Sequence, residues 1–160
     1  MNITFFKYQG TGNDFIMVNA IDEDIILEPL QIQRLCDRKF GIGADGIILI
    51  KPDVKADFYV DYYNPDGSQS FCGNGSRCAV SFAYAQNIFD GKTCSFNAID
   101  GIHTGKVLDI DNIEISMCDV DGIEEVDDDF VLDTGSPHFV RRCNALEEID
   151  IITEARKVRY

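Results

Sequence analysis

The sequence contains 160 residues, of which 45% are hydrophobic and 26% are charged, proportions close to those of ordinary globular domains. They exclude a disordered chain and a collagen-like one, and the length suffices to bury a sizeable core. The 28 acidic and 14 basic residues give a formal net charge of -14, and such a charge repels phosphate groups. We therefore expect neither nucleic acid nor an anionic membrane surface as a partner.

Apolar runs broken by Gly, Pro, Asn and Asp predict short strands around two main helices. Pro29 opens the first helix, as proline commonly does in a first helical turn. In chain order the predicted elements are strands at Ile3–Phe6 and Phe15–Asn19, a helix from Pro29 to about Lys39, strands at Ile47–Ile50 and Asp57–Tyr63, a helix from about Ser76 to Asn87, strands at Thr93–Phe96, His103–Leu108, Asn112–Met117 and Phe130–Leu132, and an amphipathic segment at Ala145–Ala155.

An acidic window runs from Asp109 to Asp133, with eleven acidic residues and no basic one. We interpret it as a solvated connector rather than a binding tail, because runs of like charge repel one another. The change in composition also marks a candidate domain boundary. We expect the residues beyond it to be partly extended and too few to close a second core alone.

The N-terminal residues Met1–Lys7 lack a basic region, a long apolar core and a small-residue cleavage site, so we expect no signal peptide. No apolar run approaches the roughly 20 residues that span a bilayer. Both features favour a cytoplasmic location.

Six cysteines are present, and none forms a C-x2-C pair; His103 and His138 also lie far from zinc-finger spacing. We therefore predict no metal site. In a reducing compartment the ordinary cysteine is a small buried hydrophobic residue. We expect that role for four of them: Cys36, Cys94, Cys118 and Cys143.

The segment Cys72–Arg77 combines a thiol with two glycines just before the second helix. Glycines allow close backbone approach, and a helix start attracts anions through its free N–H groups and dipole. The same field favours a cysteine thiolate. The segment fits a nucleophile or base beside a carboxylate cradle, and it equally fits a glycine-rich turn with a buried cysteine. Neither a P-loop nor a dinucleotide fingerprint is present.

Polar turns of similar character recur at Gly12–Asp14, Tyr63–Gly67 and Gly135–His138. Their short amides, carboxylates and hydroxyls stand at strand ends, where they could orient a small zwitterion. Any one of them taken alone is better explained by the preference of Asn and Asp for turns.

Taken together, these segments closely resemble the diaminopimelate epimerase family over essentially the whole chain. The matching segments are Lys7–Phe15, Gly41–Gly46, Asn64–Ser68, Phe71–Cys78 and Thr134–His138. The resemblance implies two α/β (α+β) domains, each a curved, mainly antiparallel sheet wrapped around a central helix. It implies cofactor-independent epimerisation of LL-diaminopimelate to the meso form, by two cysteines on opposite faces of the substrate.

By the same resemblance, Cys72 matches the first catalytic cysteine. The backbone of Gly73 and Asn74 matches the positions that receive the reacting carboxylate, and Asn13 and Asn64 match substrate-orienting amides.

Further along, His138 matches a family histidine that helps to set the thiol pKa values. Ser136 stands where Asn is common in the family, and its hydroxyl could still bind substrate. Gly46 stands where the family often has a Gln that contacts substrate, and glycine supplies no side chain.

The family's second catalytic cysteine, its second substrate-binding Asn and a Glu-Arg pair have no counterpart in this sequence. We therefore expect a truncated chain, with half an active site and no activity alone. Residues 1–118 would form the N-terminal epimerase domain, and 119–160 a connector with the first segments of an incomplete, pseudo-symmetric second domain. That second part could associate as a homodimer or swap with a neighbouring chain.

Two alternatives remain open. The first is a relative on the same fold, such as a proline-type racemase or a phenazine-type isomerase. The second is a non-catalytic fragment that acts as a binding module, which the missing second cysteine supports.

Overall fold

The computed structural model describes residues 3–109 and 111–159, and these form two compact units that divide after Met117. The first unit contains β1 (Phe6–Gly10), β2 (Asn13–Asn19), α1 (Pro29–Cys36), β3 (Gly46–Lys51), β4 (Phe58–Tyr63), α2 (Gly73–Ala85), β5 (Thr93–Ala98), β6 (Gly101–Val107) and β7 (Ile113–Ile115). The second contains β8 (Ile123–Val126), β9 (Asp129–Asp133), β10 (Pro137–Val140), a short 3-10 helix (Leu146–Glu148) and α3 (Ile151–Arg159). Within those described ranges, no helix has both the length and the hydropathy needed to cross a bilayer.

The strands of the first unit form one sheet in the order β1 to β7. Neighbours pair antiparallel, except that β2–β3 and β4–β5 are parallel. Helix α2 contacts both edge strands, β1 and β7, as well as β2, β3, β4 and β6. Because neighbouring strands lie about 4.8 Å apart, a flat sheet this wide could not reach one helix from both edges. The sheet therefore curls around α2, which confirms the curved, mainly antiparallel sheet around a central helix.

Strands β2 and β3 are buried on both faces. Phe15 and Ile48 belong to the core cluster between the sheet and α2, whereas Ile16 and Ile47 belong to a second cluster that includes α1. Successive side chains of a strand point to opposite faces, so a strand covered on both sides needs a continuous apolar run. This explains why β3 was recognisable in the sequence.

A stack of five aromatic rings crosses the larger core. His103 lies between Phe71, at a centroid distance of 4.6 Å, and Phe96, at 5.2 Å. Phe58 continues the stack from Phe96 at 5.9 Å, and Phe89 follows at 6.1 Å. The ring of His103 is fixed within the stack, because its Nδ1 lies 3.1 Å from the carbonyl oxygen of Ser116 and its Nε2 lies 3.0 Å from Asp100 Oδ1.

The first hairpin differs from its prediction. Strand β1 occupies Phe6–Gly10 rather than Ile3–Phe6, and pairs with β2 up to Gly10 opposite Asn13. Thr11 and Gly12 adopt φ values of 56° and 84°, the positive values that a tight two-residue hairpin requires. The predicted glycine-rich turn therefore shortens to two residues, and pairing extends to its edge.

Both helices of the first unit end where side chains or backbone groups cap them. Helix α1 stops at Cys36 rather than near Lys39, because Asp37 Oδ1 accepts hydrogen bonds from the N–H groups of Lys39 and Phe40. Helix α2 ends at Ala85, and Asn87 follows with φ of 56° in a left-handed C-terminal cap.

The second unit consists of an antiparallel sheet in the order β10–β9–β8, followed by α3. Strand β8 lies inside the acidic window, so part of the predicted solvated connector is a strand that pairs with β9; all four of its residues, Ile123–Val126, are exposed to solvent. None of the described residues 118–159 is buried. For this reason Cys118 and Cys143 are exposed, which corrects their predicted burial, whereas Cys36 and Cys94 are buried as expected.

Candidate active site

Cys72 is the N-terminal cap of α2. It has extended backbone angles, φ −136° and ψ 107°, and its Sγ accepts a hydrogen bond from the N–H of Gly75 at 3.4 Å. Its carbonyl oxygen accepts the first helical bond, from the N–H of Ser76 at 2.7 Å. Together these bonds start the helix at Gly73 instead of Ser76. A sulfur thus takes the capping position that Ser, Thr, Asp or Asn usually occupies.

The two glycines of this turn have different surroundings. A Cβ on Gly75 would lie 3.0 Å from Ile48 Cδ1 and 3.5 Å from the Cys72 sulfur, so the backbone here packs closely against β3. A Cβ on Gly73 would meet only ordinary contacts, with Met117 Sδ at 3.7 Å as the nearest atom. The first turn of a helix leaves its leading N–H groups without helical partners. The amides of Gly73 and Asn74 therefore lie next to a half-buried sulfur and can receive an anionic oxygen.

Asn13 is brought to the same region by the hairpin. A Cβ on Gly10, its cross-strand neighbour, would lie 3.2 Å from the carbonyl oxygen of Asn74, so the hairpin end packs on the first turn of α2. Asn13 Oδ1 is the buried side-chain oxygen that lacks a hydrogen-bond partner within the described residues. Because a buried acceptor without a partner is costly, this oxygen suits a ligand that donates a hydrogen bond.

Asn64 follows β4 and is held at both ends of its amide. Its Oδ1 accepts from the hydroxyl of Tyr62 at 2.8 Å, and its Nδ2 donates to the Ser70 hydroxyl at 3.2 Å. Ser70 stands two residues before Cys72. Sequence reasoning missed Tyr62 and Ser70, since nothing in their spacing shows that they bond to Asn64.

An ion-pair cluster fixes the base of the hairpin. Asp14 binds Arg38 at 2.6 Å and Lys7 at 2.7 Å, and Arg38 also binds Asp45 at 2.8 Å. The Arg38 guanidinium and then the Lys7 ammonium hold the pKa of Asp14 well below its usual range. The cluster joins the segment that carries Asn13 to the glycine-rich loop before β3.

We expect acid to weaken this cluster. A carboxyl with a lowered folded-state pKa stabilises the fold above its unfolded pKa of about 3.9 and loses that contribution as the pH falls below it. Asp14→Asn should lower the free energy of unfolding by about 1 kcal/mol near neutral pH, with the difference from wild type shrinking as the pH drops below about 4. Urea unfolding of the wild type and the variant, at pH values from about 3 to 7, measures the difference in the free energy of unfolding and its dependence on pH. The exposed Asp22, changed to Asn, is the control, and an equal effect of both substitutions would contradict the assignment.

Gly46 opens β3 and is buried. A Cβ at this position would lie 2.4 Å from Tyr62 Cε2 and 2.8 Å from the carbonyl oxygen of Tyr63. The aromatic ring of Tyr62 thus fills the volume that a side chain at position 46 would need.

Ser136 and His138 lie in the second unit, around the start of β10. His138 is exposed, and its Nδ1 donates to the carbonyl oxygen of Ser136 at 2.7 Å. Within the first unit, Gly73 and Asn74 belong to the turn that Cys72 caps, and the hairpin that carries Asn13 packs on that turn through Gly10. Asn64 bonds to Ser70, which stands two residues before Cys72.

Three other thiols of the first unit are buried. Burial raises the pKa of Cys78 to about 11 and that of Cys94 to about 12, and it also raises the pKa of Cys36. These three sulfurs are protonated near neutral pH, so none of them is suited to remove a proton from a ligand.

Known proteins resemble this chain over most of its length. Residues 5–121 match the family model for diaminopimelate epimerase. The diaminopimelate epimerase of Flavobacterium psychrophilum is 48% identical over 97% of this chain, which covers 61% of that protein. That of Chlorobaculum tepidum is 35% identical over 94% of this chain, which covers 62% of it. The chain thus spans about three fifths of these relatives.

Solved structures share the fold at low sequence identity. A probable proline racemase from Agrobacterium radiobacter is 12% identical with a TM-score of 0.60, covering 86% of this chain and 51% of its own. A phenazine biosynthesis protein from Bacillus anthracis is 17% identical with a TM-score of 0.53, covering 82% of this chain and 40% of its own. The match over residues 5–121, together with the relatives above, shows that the chain belongs to the diaminopimelate epimerase family.

Proposed function

We propose that this chain carries one of the two proton-transfer groups of a diaminopimelate epimerase, and that Cys72 is this group. The observation that supports the proposal most is the position of the Cys72 sulfur, which caps α2 next to the leading amides of Gly73 and Asn74. A base and a carboxylate cradle then lie within one helical turn.

In the proposed reaction, the Cys72 thiolate takes the proton from the α-carbon of LL-diaminopimelate, so that an S–H bond forms as the C–H bond breaks. The electron pair moves toward the substrate carboxylate. The amides of Gly73 and Asn74 and the dipole of α2 stabilise the charge that develops there. A second acid gives a proton to the opposite face of the carbon and inverts its configuration. We assign no cofactor to these steps.

The second acid has no matching candidate among the other cysteines. Cys36 ends α1, Cys78 lies within α2, and Cys94 lies in β5. Cys118 and Cys143 lie in the second unit, outside its helices and strands. We propose that residues present in the longer relatives supply this acid, so that the chain holds half of the site.

The remaining assignments complete this proposal. Asn13 and Asn64 would orient the substrate, with Ser136 as a further substrate contact and His138 as an influence on thiol acidity. Residues 1–118 would be the N-terminal epimerase domain and 119–160 the beginning of the second. The product, meso-diaminopimelate, would serve lysine biosynthesis in the cytoplasm.

A chimera tests the function directly. This chain replaces the matching part of the Flavobacterium psychrophilum relative, and deuterium incorporation from heavy water into diaminopimelate is followed by mass spectrometry. We expect exchange by the chimera and none by this chain alone. Cys72→Ser should reduce exchange by about 100-fold or more, because a positioned acid or base contributes about 10²–10⁴ to a rate.

The exposed Cys118, changed to Ser, is the matched control and should leave exchange unchanged. Binding gives a second measurement: millimolar diaminopimelate should shift the backbone amide signals of Gly73 and Asn74 in the isolated chain. Exchange by the isolated chain would show that it is more than half a site. Binding without exchange in the chimera would favour a binding module, and the absence of both would contradict the proposal.

A further inference from the structure

The hydroxyl of Tyr62 has one described role, which is to bond to Asn64. Tyr62 is only 9% exposed, and its ring packs edge-on against Phe15 at a centroid distance of 5.9 Å. The hydroxyl donates to Asn64 Oδ1 at 2.8 Å. A tyrosine held so firmly on a strand offers a fixed donor to the residue that follows the strand.

The far end of the Asn64 amide fixes which way the group faces. Its Nδ2 lies 3.3 Å from the backbone oxygen of Ser68, 3.2 Å from the Ser68 hydroxyl and 3.2 Å from the Ser70 hydroxyl. A backbone oxygen can only accept a hydrogen bond. The nitrogen must therefore face the serines, and the oxygen must face Tyr62.

The same network reaches the segment that carries the sulfur. Ser70 is separated from Cys72 only by Phe71, which is itself held in the aromatic stack against His103. Burial, followed by the nearby charge of Cys72, raises the pKa of Tyr62. The phenol therefore keeps its proton near neutral pH and remains a donor when the sulfur is charged.

We propose that Tyr62 is a positioning residue, which sets the direction of the Asn64 amide and, through Ser70, the place of the Cys72 segment. This inference deepens the proposed function, on which the roles of Asn64 and Cys72 rest. Gly46 is part of the arrangement, because its missing side chain leaves room for the Tyr62 ring.

Two neighbouring tyrosines provide a matched test. Tyr63 does not share the partner of Tyr62, because its hydroxyl donates to Asp61 Oδ2 at 3.0 Å. In the full 160-residue chain labelled with nitrogen-15, Tyr62→Phe should shift and broaden the side-chain amide signals of Asn64. Tyr63→Phe, which also removes one hydroxyl, should leave those signals in place.

Ser70→Ala is the second variant, since it removes one of the three acceptors of Asn64 Nδ2 at a residue outside the hydrophobic core. It should move the same signals even if Tyr62→Phe impairs folding. Binding of diaminopimelate should weaken about fivefold in Tyr62→Phe and remain unchanged in Tyr63→Phe, as expected for the loss of one orienting hydrogen bond.

The two proposals can fail separately. If the Asn64 signals in Tyr62→Phe and Ser70→Ala coincide with those of the wild type, or if Tyr63→Phe moves them equally, the positioning role is wrong. If they move as expected but the wild-type chain and the chimera neither bind diaminopimelate nor exchange its proton, the positioning role stands and the proposed function fails.

Discussion

Iodoacetamide near pH 8 is expected to label Cys72 at least about 100-fold faster than Cys78 and Cys94. The thiolate is the reacting form, and with pKa values of about 11 and about 12, Cys78 and Cys94 are ionised to only about one part in 1,000 and one in 10,000 at that pH. Both sulfurs are also buried, whereas Cys72 is half-buried. Cys36 is buried too, and burial raises its pKa, so it should also react more slowly than Cys72.

The measurement is peptide mass spectrometry over a time course. Cys118 and Cys143 are exposed and will also react, so both are changed to Ser to leave Cys72 as the single fast site. Labelling in urea is the control and should reach every remaining cysteine at similar rates. Equal rates for Cys72 and Cys94 in the folded chain would show that the sulfur of Cys72 is closed to small molecules, and this would remove the basis for the proposed function.

The second large effect is expected for Gly46→Ala, which should destabilise the first unit by about 3 kcal/mol. The added Cβ would lie 2.4 Å from Tyr62 Cε2 and 2.8 Å from the carbonyl oxygen of Tyr63. The Tyr62 ring is packed on Phe15, and the Tyr63 carbonyl belongs to β4, which pairs with β3, so a rotamer change alone cannot relieve the clash. Urea unfolding followed by circular dichroism gives the value.

Gly122→Ala is the control, because a Cβ there would have no neighbour within 4 Å. The double variant Gly46→Ala with Tyr62→Ala should lose less stability than the sum of the two single losses, since the Tyr62 ring is one of the two groups that the added Cβ would meet. Gly46→Gln introduces the same Cβ and should therefore also destabilise the first unit. An unchanged stability of Gly46→Ala would show that β3 and β4 can separate there at little cost.

Much of the first unit could be predicted because its signals are local. The continuous run in β3 and the Pro29 helix start depend on few neighbours, and both appear where expected. The early start of α2 could not be predicted, since Gly73 and Gly75 read as helix breakers until the Cys72 sulfur is seen to cap them. The motif around Cys72 nevertheless located the candidate site.

The parts that escaped prediction depend on tertiary pairing. The exposure of Cys118 and Cys143 follows from the lack of burial throughout residues 118–159 of the second unit, which no single residue reveals. Likewise, the bond between Tyr62 and Asn64 requires that β4 lead directly into the loop that returns through Ser70.

Because the Cys72 sulfur caps the N-terminus of α2, a proton transfer at this sulfur also affects how firmly the first helical turn is held. A charged sulfur accepts the Gly75 N–H more strongly than a neutral one does. Protonation of Cys72 therefore weakens the hydrogen bond that caps the N-terminus of α2, and deprotonation strengthens it again. In the proposed reaction, the protonation state of this sulfur and the stiffness of the surrounding turn would therefore change together.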